Sequence, residues 1–437
     1  MKKLFLLALT LLALAGMSLG AQQTELRFMY YIDAAQAGYL EDQAVWETFR
    51  QENPDINLVM EILFLEPFHE KLGAYIAAGR IPDVIYMWPS MRSSSAILHG
   101  MKLMKDLTPL LGKEYLSNFV APALVPKAQA SNQLSELPQS ITYTTVMYAN
   151  KKLLADNGFA LPTTYAQLKA MVPKLKAKGI QAVTLPDADG WQMQSCLFST
   201  VVGRMLGDAW VDQAIAGKVK FTDPGFVAAL TFIQTLFKDG VITKENILLG
   251  YGDGPALFAS GKAAFIIDGD WRQGFYITDR VTGEALIPPE QQASDYAFIN
   301  LPAIPGEKNP GVVSAIVGVG LGISNSIPKG SEREKAAVRL LKYYYSPEVQ
   351  TMKLETGAFI PTRKGLTSDK LDPFTQMMPK YYATIQRTCY VLDGVLDPTV
   401  CNTYINKGLQ DIGLGNKTPV QVAAEIEKAM VEWRANK

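Results

Sequence analysis

Three tryptophans stand just past short apolar runs, in loops rich in Asp and Gly. Trp88 follows the run VIYM at residues 84–87. Trp191 closes the loop PDADGW after residues 180–185, and Trp271 closes DGDW after residues 263–267. Apolar runs of this length, bounded by turn residues, read as buried strands. An aromatic side chain delivered to the carboxyl end of such a strand builds a platform at the crevice where open α/β sheets hold ligands. A platform beside Asp side chains suits a molecule with an apolar face and a rim of hydroxyls. The ring stacks on that face, and a carboxylate accepts from two hydroxyls at once. The chain has 6 Trp and 19 Tyr. Trp46 and Trp433 lie on amphipathic helices and read as packing residues, while Trp210 beside Gly207 and Asp208 reads either way.

Other candidates cluster at the same kind of position. Tyr31 ends the first strand, Glu66 follows the second, Ser90 and Arg92 follow Trp88, and Tyr143 opens the second half. Asp187 and Asp268 read as turn caps. Catalysis has little to work with. The two histidines, His69 and His99, pair with no Cys or Asp at a spacing that suggests a nucleophile or a metal site. The glycines at 318, 320 and 322 alternate but lack the strand–turn–helix setting of a dinucleotide loop, and no P-loop is present. No cofactor and no metal are expected. Formal net charge is zero, so nothing favours nucleic acid.

The elements that must position these residues follow a regular grammar. Strands are expected at 25–31, 57–62 and 84–87, with helices at 39–52 and 67–78 between them. That alternation specifies a parallel sheet with crossover helices. The pattern repeats with a strand at 143–148, a helix at 150–157, and a capping box of Thr164 and Gln167 opening a helix that contains Pro173. Strands at 180–185 and 263–267 and a helix after Asp223-Pro224 continue it. The Gly-rich apolar run at 313–323 fits a strand where backbones pass closely, or a hinge. Ser331 and Glu334 form a second capping box, and 418–434 is a last amphipathic helix.

With 437 residues, 48% of them hydrophobic and 19% charged, the chain suits a soluble protein of two or three lobes. Lys2 and Lys3, the apolar residues 4–15 and the small residues Ser18, Gly20 and Ala21 form a secretion leader, residues 1–21. Taking Lys2 and Lys3 from 42 basic residues leaves 40 against 42 acidic ones, a mature charge of about −2. No Cys lies near the cut, so a lipid anchor is disfavoured and the periplasm is expected. Export makes a bridge between Cys389 and Cys401 possible, but a protein this large needs no staple, and small apolar core residues are the preferred reading.

Several segments, in this order, resemble a known family. They are FRQENPDINLVMEI (49–62), AAGRIPDVIYM (77–87), LMKDLTPLL (103–111), the stretch 137–180 with Tyr148 and Asn150, and FASGKAAFIIDGDW (258–271). Val317-Gly318-Val319, SPEVQ (346–350) and Phe359-Ile360-Pro361 complete the set. The mature chain resembles the family 1 extracellular solute-binding proteins of ABC importers. The resemblance implies a two-lobed α/β fold of the type II periplasmic binding proteins, each lobe a sheet flanked by helices. Residues 22–138 and 266–318 would form the first lobe, and 139–265 and 319–437 the second. It also implies a carbohydrate ligand trapped in the cleft by hinge closure, membrane permease subunits as partners, a monomer, and no enzymatic activity. In the family, the segments of Trp88, Trp191 and Trp271 line the cleft, Asp33 and Asp270 fall in segments that contact ligand, and Tyr382 stands where a cleft aromatic is often placed. Two rivals remain. A secreted glycoside hydrolase would use Asp33 and Asp270 as carboxylates about 5–10 Å apart. A binding protein for a non-sugar solute would need other contacts, and the lack of an Arg cluster weighs against anions.

Overall fold

The computed structural model describes residues 23–34, 38–87, 97–98, 100–120 and 133–436. Strand β1 (Thr24–Tyr31) runs parallel to β2 (Ile56–Leu63) and β3 (Val84–Met87). Helices α1 (Tyr39–Glu52) and α2 (Glu66–Ala77) make the crossovers. All four residues of β3 are buried, which is why its sequence is continuously apolar instead of alternating. Strands β4 (Leu137–Tyr143) and β5 (Val146–Asn150) follow, then α3 (Tyr165–Lys176), β6 (Gln181–Thr184), α4 (Pro224–Lys238), β7 (Ala263–Asp268), β8 (Tyr296–Ile299) and β9 (Val313–Ile323). The chain ends with α5 (Glu332–Tyr344), α6 (Pro347–Glu355), α7 (Pro373–Tyr382), β10 (Thr388–Cys389), α8 (Lys407–Leu414) and α9 (Pro419–Ala435), with shorter helical turns between these elements.

The strands form two sheets. One has the order β10-β9-β3-β1-β2, with β4 also paired to β9; the other has the order β6-β7-β5-β8. Each sheet carries its own core. Phe28, Trp46, Leu72 and Leu340 pack on the first, and Phe198, Leu230, Phe265 and Ile426 on the second. Each such side chain contributes about 1.5–3 kcal/mol by leaving water. The chain passes between sheets where β4 gives way to β5, where β8 gives way to β9, and between α6 and α7, which packs against β8.

Local signals translate directly. Thr164 and Gln167 form both bonds of the capping box. Asn150 caps the preceding short helix, Lys151–Asp156, by accepting from the Leu153 N–H at 2.8 Å. The box at Ser331 is only half made. Ser331 accepts from the Glu334 N–H at 3.2 Å, but Glu334 accepts from Gly330 at 2.7 Å and pairs with Lys105 at 2.9 Å. Residues 313–323 are one strand, and its glycines serve close approach. A Cβ on Gly320 would stand 1.9 Å from the Leu137 carbonyl oxygen of β4.

Two expectations need correction, and the preferred reading of the cysteines holds. The strand expected at 143–148 is two strands in different sheets, broken at Thr144 and Thr145. The lobe boundaries differ from sheet membership. Strand β7 pairs with β5 and β6, and β8 pairs with β5, so residues 266–299 lie with the second sheet. The whole of β9 lies in the first sheet and α5 packs on β1, so the chain returns after Ile299. Cys196, Cys389 and Cys401 are buried free thiols. The leader, Trp88 and Ser90 lie outside the described residues.

Candidate functional site

A cavity opens between the two sheets, with about 1260 Å³ of empty space including its mouth. Tyr31, Asp33, Tyr86 and Gln139 line it from the first sheet's side, and Trp191, Asp270 and Trp271 from the second. Strand β1 places Tyr31 at its end, where the ring stacks on Tyr86 with centroids 5.5 Å apart and planes at 24°. Gln139 of β4 donates to the Tyr86 hydroxyl at 2.9 Å and accepts from the Tyr344 hydroxyl of α5. Lys353 of α6 also reaches this wall. It contacts the buried carboxylate of Asp42 on α1 and donates to the Tyr30 hydroxyl at 3.1 Å. Asp42 accepts in turn from Tyr30 at 3.0 Å and from the Trp46 indole at 3.2 Å. These buried polar side chains therefore find their partners within the wall itself.

The opposite wall is aromatic and is held from beneath by one cation. Arg272 is fully buried and pairs with Asp268 through Nε at 2.6 Å. Its guanidinium lies 3.9 Å from the centroid of the Tyr251 ring and 4.6 Å from that of Phe275. Tyr251 accepts from the Trp271 indole at 2.7 Å, and Trp191 stands 5.5 Å from Tyr251 and 6.2 Å from Trp271. Gly269 makes this possible, because a Cβ there would fall 2.1 Å from the Trp271 ring. The three rings are thus fixed before any ligand arrives, which removes part of the ordering cost of binding.

Asp270 sits between the walls. Its Oδ2 accepts from the Tyr143 N–H at 3.0 Å and the Tyr382 hydroxyl at 2.7 Å. Burial pushes its carboxyl up to about 7, against the opposing pull of those two donors. Thr144 lines the cavity and belongs to a cluster of buried hydroxyls. Thr144 and Thr145 lie 2.6 Å and 2.9 Å from the Ser314 hydroxyl, and Thr144 donates to the Ser195 carbonyl at 2.9 Å. The Thr200 hydroxyl lies 2.8 Å from that of Thr145 and 3.0 Å from that of Ser314. Two of the strands that pass between the lobes are tied together at this point.

Of the residues expected at the site, Tyr31, Asp33, Trp191, Asp270 and Trp271 meet in the cavity. Tyr143 and Tyr382 are not among its lining residues. They pack on each other, centroids 4.5 Å apart, and hold Asp270 instead. Glu66 begins α2 and lines a neighbouring compartment. Asp187 holds its own loop by accepting from the Met193 N–H at 2.8 Å, and Asp268 pairs with Arg272. Trp210 is a packing residue, stacked on Phe226 at 5.5 Å and 9°. Sequence reasoning missed Tyr251, Tyr86, Gln139 and Lys353. Tyr251, in the Gly-rich turn GYGDG between two helical segments, carried the one local signal, that of a loop.

Residues 33–351 match the family described as bacterial extracellular solute-binding protein. The chain belongs to that family. Among this solute-binding protein's relatives is the multiple sugar-binding protein of Streptococcus mutans, 22% identical over 341 residues that cover 75% of this chain and 74% of that one. A chitin oligosaccharide binding protein has the same fold, with a TM-score of 0.80 at 20% identity, covering 94% of this chain and 99% of the other. The maltose-bound MalE3 of T. maritima aligns with a TM-score of 0.72 at 20% identity, covering 94% and 100%. The fold of this solute-binding protein is that of the two-lobed type II periplasmic binding proteins. Among its described residues no helix is long and apolar enough to cross a membrane.

Proposed function

We propose that this solute-binding protein carries a carbohydrate in the inter-lobe cleft and delivers it to the membrane permease subunits of an ABC importer. It would work in the periplasm as a monomer, after removal of its leader. The observation that carries the reading is the preorganised wall of Trp191, Tyr251 and Trp271 facing a polar set of Asp33, Gln139 and Asp270. Flat rings take the apolar face of a pyranose, and carboxylates and amides take its hydroxyls. The sugar-binding relatives support the same reading. Closure would bend the strands around Thr144 and Ser314, and the ligand would shift the open–closed balance by its greater affinity for the closed form.

Thermal shifts with a panel of mono- and oligosaccharides test this directly. A cognate sugar at 100 times its Kd should add about 2.7 kcal/mol of stability. The same incubation should release no new reducing ends, whereas a glycoside hydrolase would produce them. If no carbohydrate shifts the transition, the carbohydrate reading fails.

The Asp270 carboxyl adds a pH signature. Raised to about 7, it is mostly protonated at pH 6 and ionised at pH 8. An ionised carboxylate is the stronger acceptor for a sugar hydroxyl. Ligand binding should therefore favour the ionised form and release a proton. Affinity should rise about tenfold between pH 5.5 and pH 8 and level off above the free-state value. In Asp270→Asn the profile should be flat across that range. A wild-type profile matching the variant's would remove Asp270 from the ligand contacts.

A further inference from the structure

Beyond the main cavity the cleft continues into a second compartment. Tyr31, Leu65 and Trp191 line both and form the neck between them. The second compartment has about 1370 Å³ of empty space on the same measure as the first, so it has room for a further ligand unit of similar bulk. Its lining differs in kind. No tryptophan other than Trp191 lines it, and Glu66, Asp189, Asn402, Asn406, Lys407 and Gln410 do. The first turn of α2 brings Glu66 from one lobe, and α8 with the turn before it brings the amides and Lys407 from the other.

Two polar atoms at this place are unusual. Asn406 is only 7% exposed, and its Oδ1 is buried with no hydrogen-bond partner. The indole N–H of Trp191, at the neck, is buried and unpartnered as well. Buried polar groups are normally satisfied, and these two sit in the wall of a compartment large enough for a ligand. The charges also point one way. Three carboxylates, Glu66, Asp189 and Asp393, line the compartment against one lysine, Lys407, and one histidine, His69. Carboxylate oxygens only accept, whereas the amides both donate and accept, so the matching ligand surface offers donors to the acidic side chains and carries no negative charge.

We infer that the ligand is an electrically neutral saccharide of two or more rings, with one ring against the Trp191–Tyr251–Trp271 wall and the next past the neck, and that the second compartment rejects an acidic ring. The inference rests on the carbohydrate reading and narrows it. Hydroxyls of the second ring would donate to Asn406 Oδ1 and the acidic side chains and accept from the Trp191 indole and Lys407. A uronic acid there would bring its carboxylate against three others, and like charges brought together across an interface select against that ligand.

Titration calorimetry decides between outcomes. The probes are the neutral disaccharide that stabilises the protein most, its constituent monosaccharide, and the same disaccharide with its terminal hydroxymethyl oxidised to a carboxylate. The disaccharide should bind about tenfold or more tighter than the monosaccharide, and the acidic disaccharide about tenfold weaker than the neutral one. Asn406→Leu should weaken the disaccharide about tenfold and leave the monosaccharide unchanged. Glu66→Gln combined with Asp189→Asn, both at exposed positions and so harmless to folding, should close most of the gap between acidic and neutral disaccharides. Equal affinities for mono- and disaccharide, or an acidic disaccharide bound as well as the neutral one by the wild type, would overturn this inference alone. A protein that binds no sugar of the panel overturns the carbohydrate reading, and this inference with it.

Discussion

Trp271→Ala should raise the Kd for the cognate sugar about 30- to 150-fold, the loss of about 2–3 kcal/mol expected of a central aromatic anchor. The size of the effect follows from how the ring is held. The Trp271 indole donates to Tyr251, Arg272 lies against Tyr251 and Phe275, and Asp268 holds Arg272. A ring held through this chain of contacts meets its ligand with little entropy left to lose. Trp191→Ala should weaken binding by a similar factor, because Trp191 faces Trp271 and also forms the neck. Trp210→Ala is the informative contrast. Its ring is stacked in the second lobe's core, so melting temperature should fall while the affinity of the folded protein stays within about twofold. Measured by calorimetry, unchanged affinity in both Trp271→Ala and Trp191→Ala would remove the aromatic wall from the binding site.

Asp42→Ala should destabilise the first lobe by about 3–5 kcal/mol, the usual consequence of stripping the partner from a buried charge. Lys353 is 3% exposed and Asp42 wholly buried, so neither has water to fall back on. Burial pulls the Lys353 ammonium down to about 7, and the Asp42 carboxylate in contact with it opposes that pull. In Asp42→Ala the opposition is gone. Folded Lys353 then prefers its neutral form, while the unfolded lysine keeps its proton up to its ordinary value of 10.5. Wherever folded Lys353 is neutral below its ordinary value of 10.5, the unfolded state of that variant binds more protons, so its stability should rise as pH climbs toward that value. Asp42→Leu with Lys353→Met should recover most of the loss, because a well-packed apolar pair needs no charge compensation. Differential scanning calorimetry checks both claims. A single variant as stable as wild type, or a double variant no better than the single, would show that the pair is not a coupled unit. Lys353 also lines the cleft, so ligand titrations on the double variant would show whether its charge reaches the sugar.

What the chain determined by itself was local. Strand β3 was legible because a strand buried on both faces must be apolar throughout, and α3 because its capping box is complete within four residues. Tyr31, Asp33, Trp191, Asp270 and Trp271 were legible as residues of the cavity because each stands at or past a strand end, which in an α/β fold is the crevice. Tertiary structure decided the rest. Tyr143 and Tyr382 lie 239 positions apart, yet both donate to one oxygen of Asp270, and no spacing in the sequence announces that meeting. Lys353 comes to Tyr30 and Asp42 from a helix more than 300 residues later. The chain leaves the second sheet after β8, because β7 and β8 both pair with β5 and a strand's hydrogen-bond partner is not written in its own residues. Periodicity and capping act over one or two turns and can be read along the chain. Pairing register and the meeting of distant side chains depend on where sheets and helices finally lie, and only the folded protein specifies that.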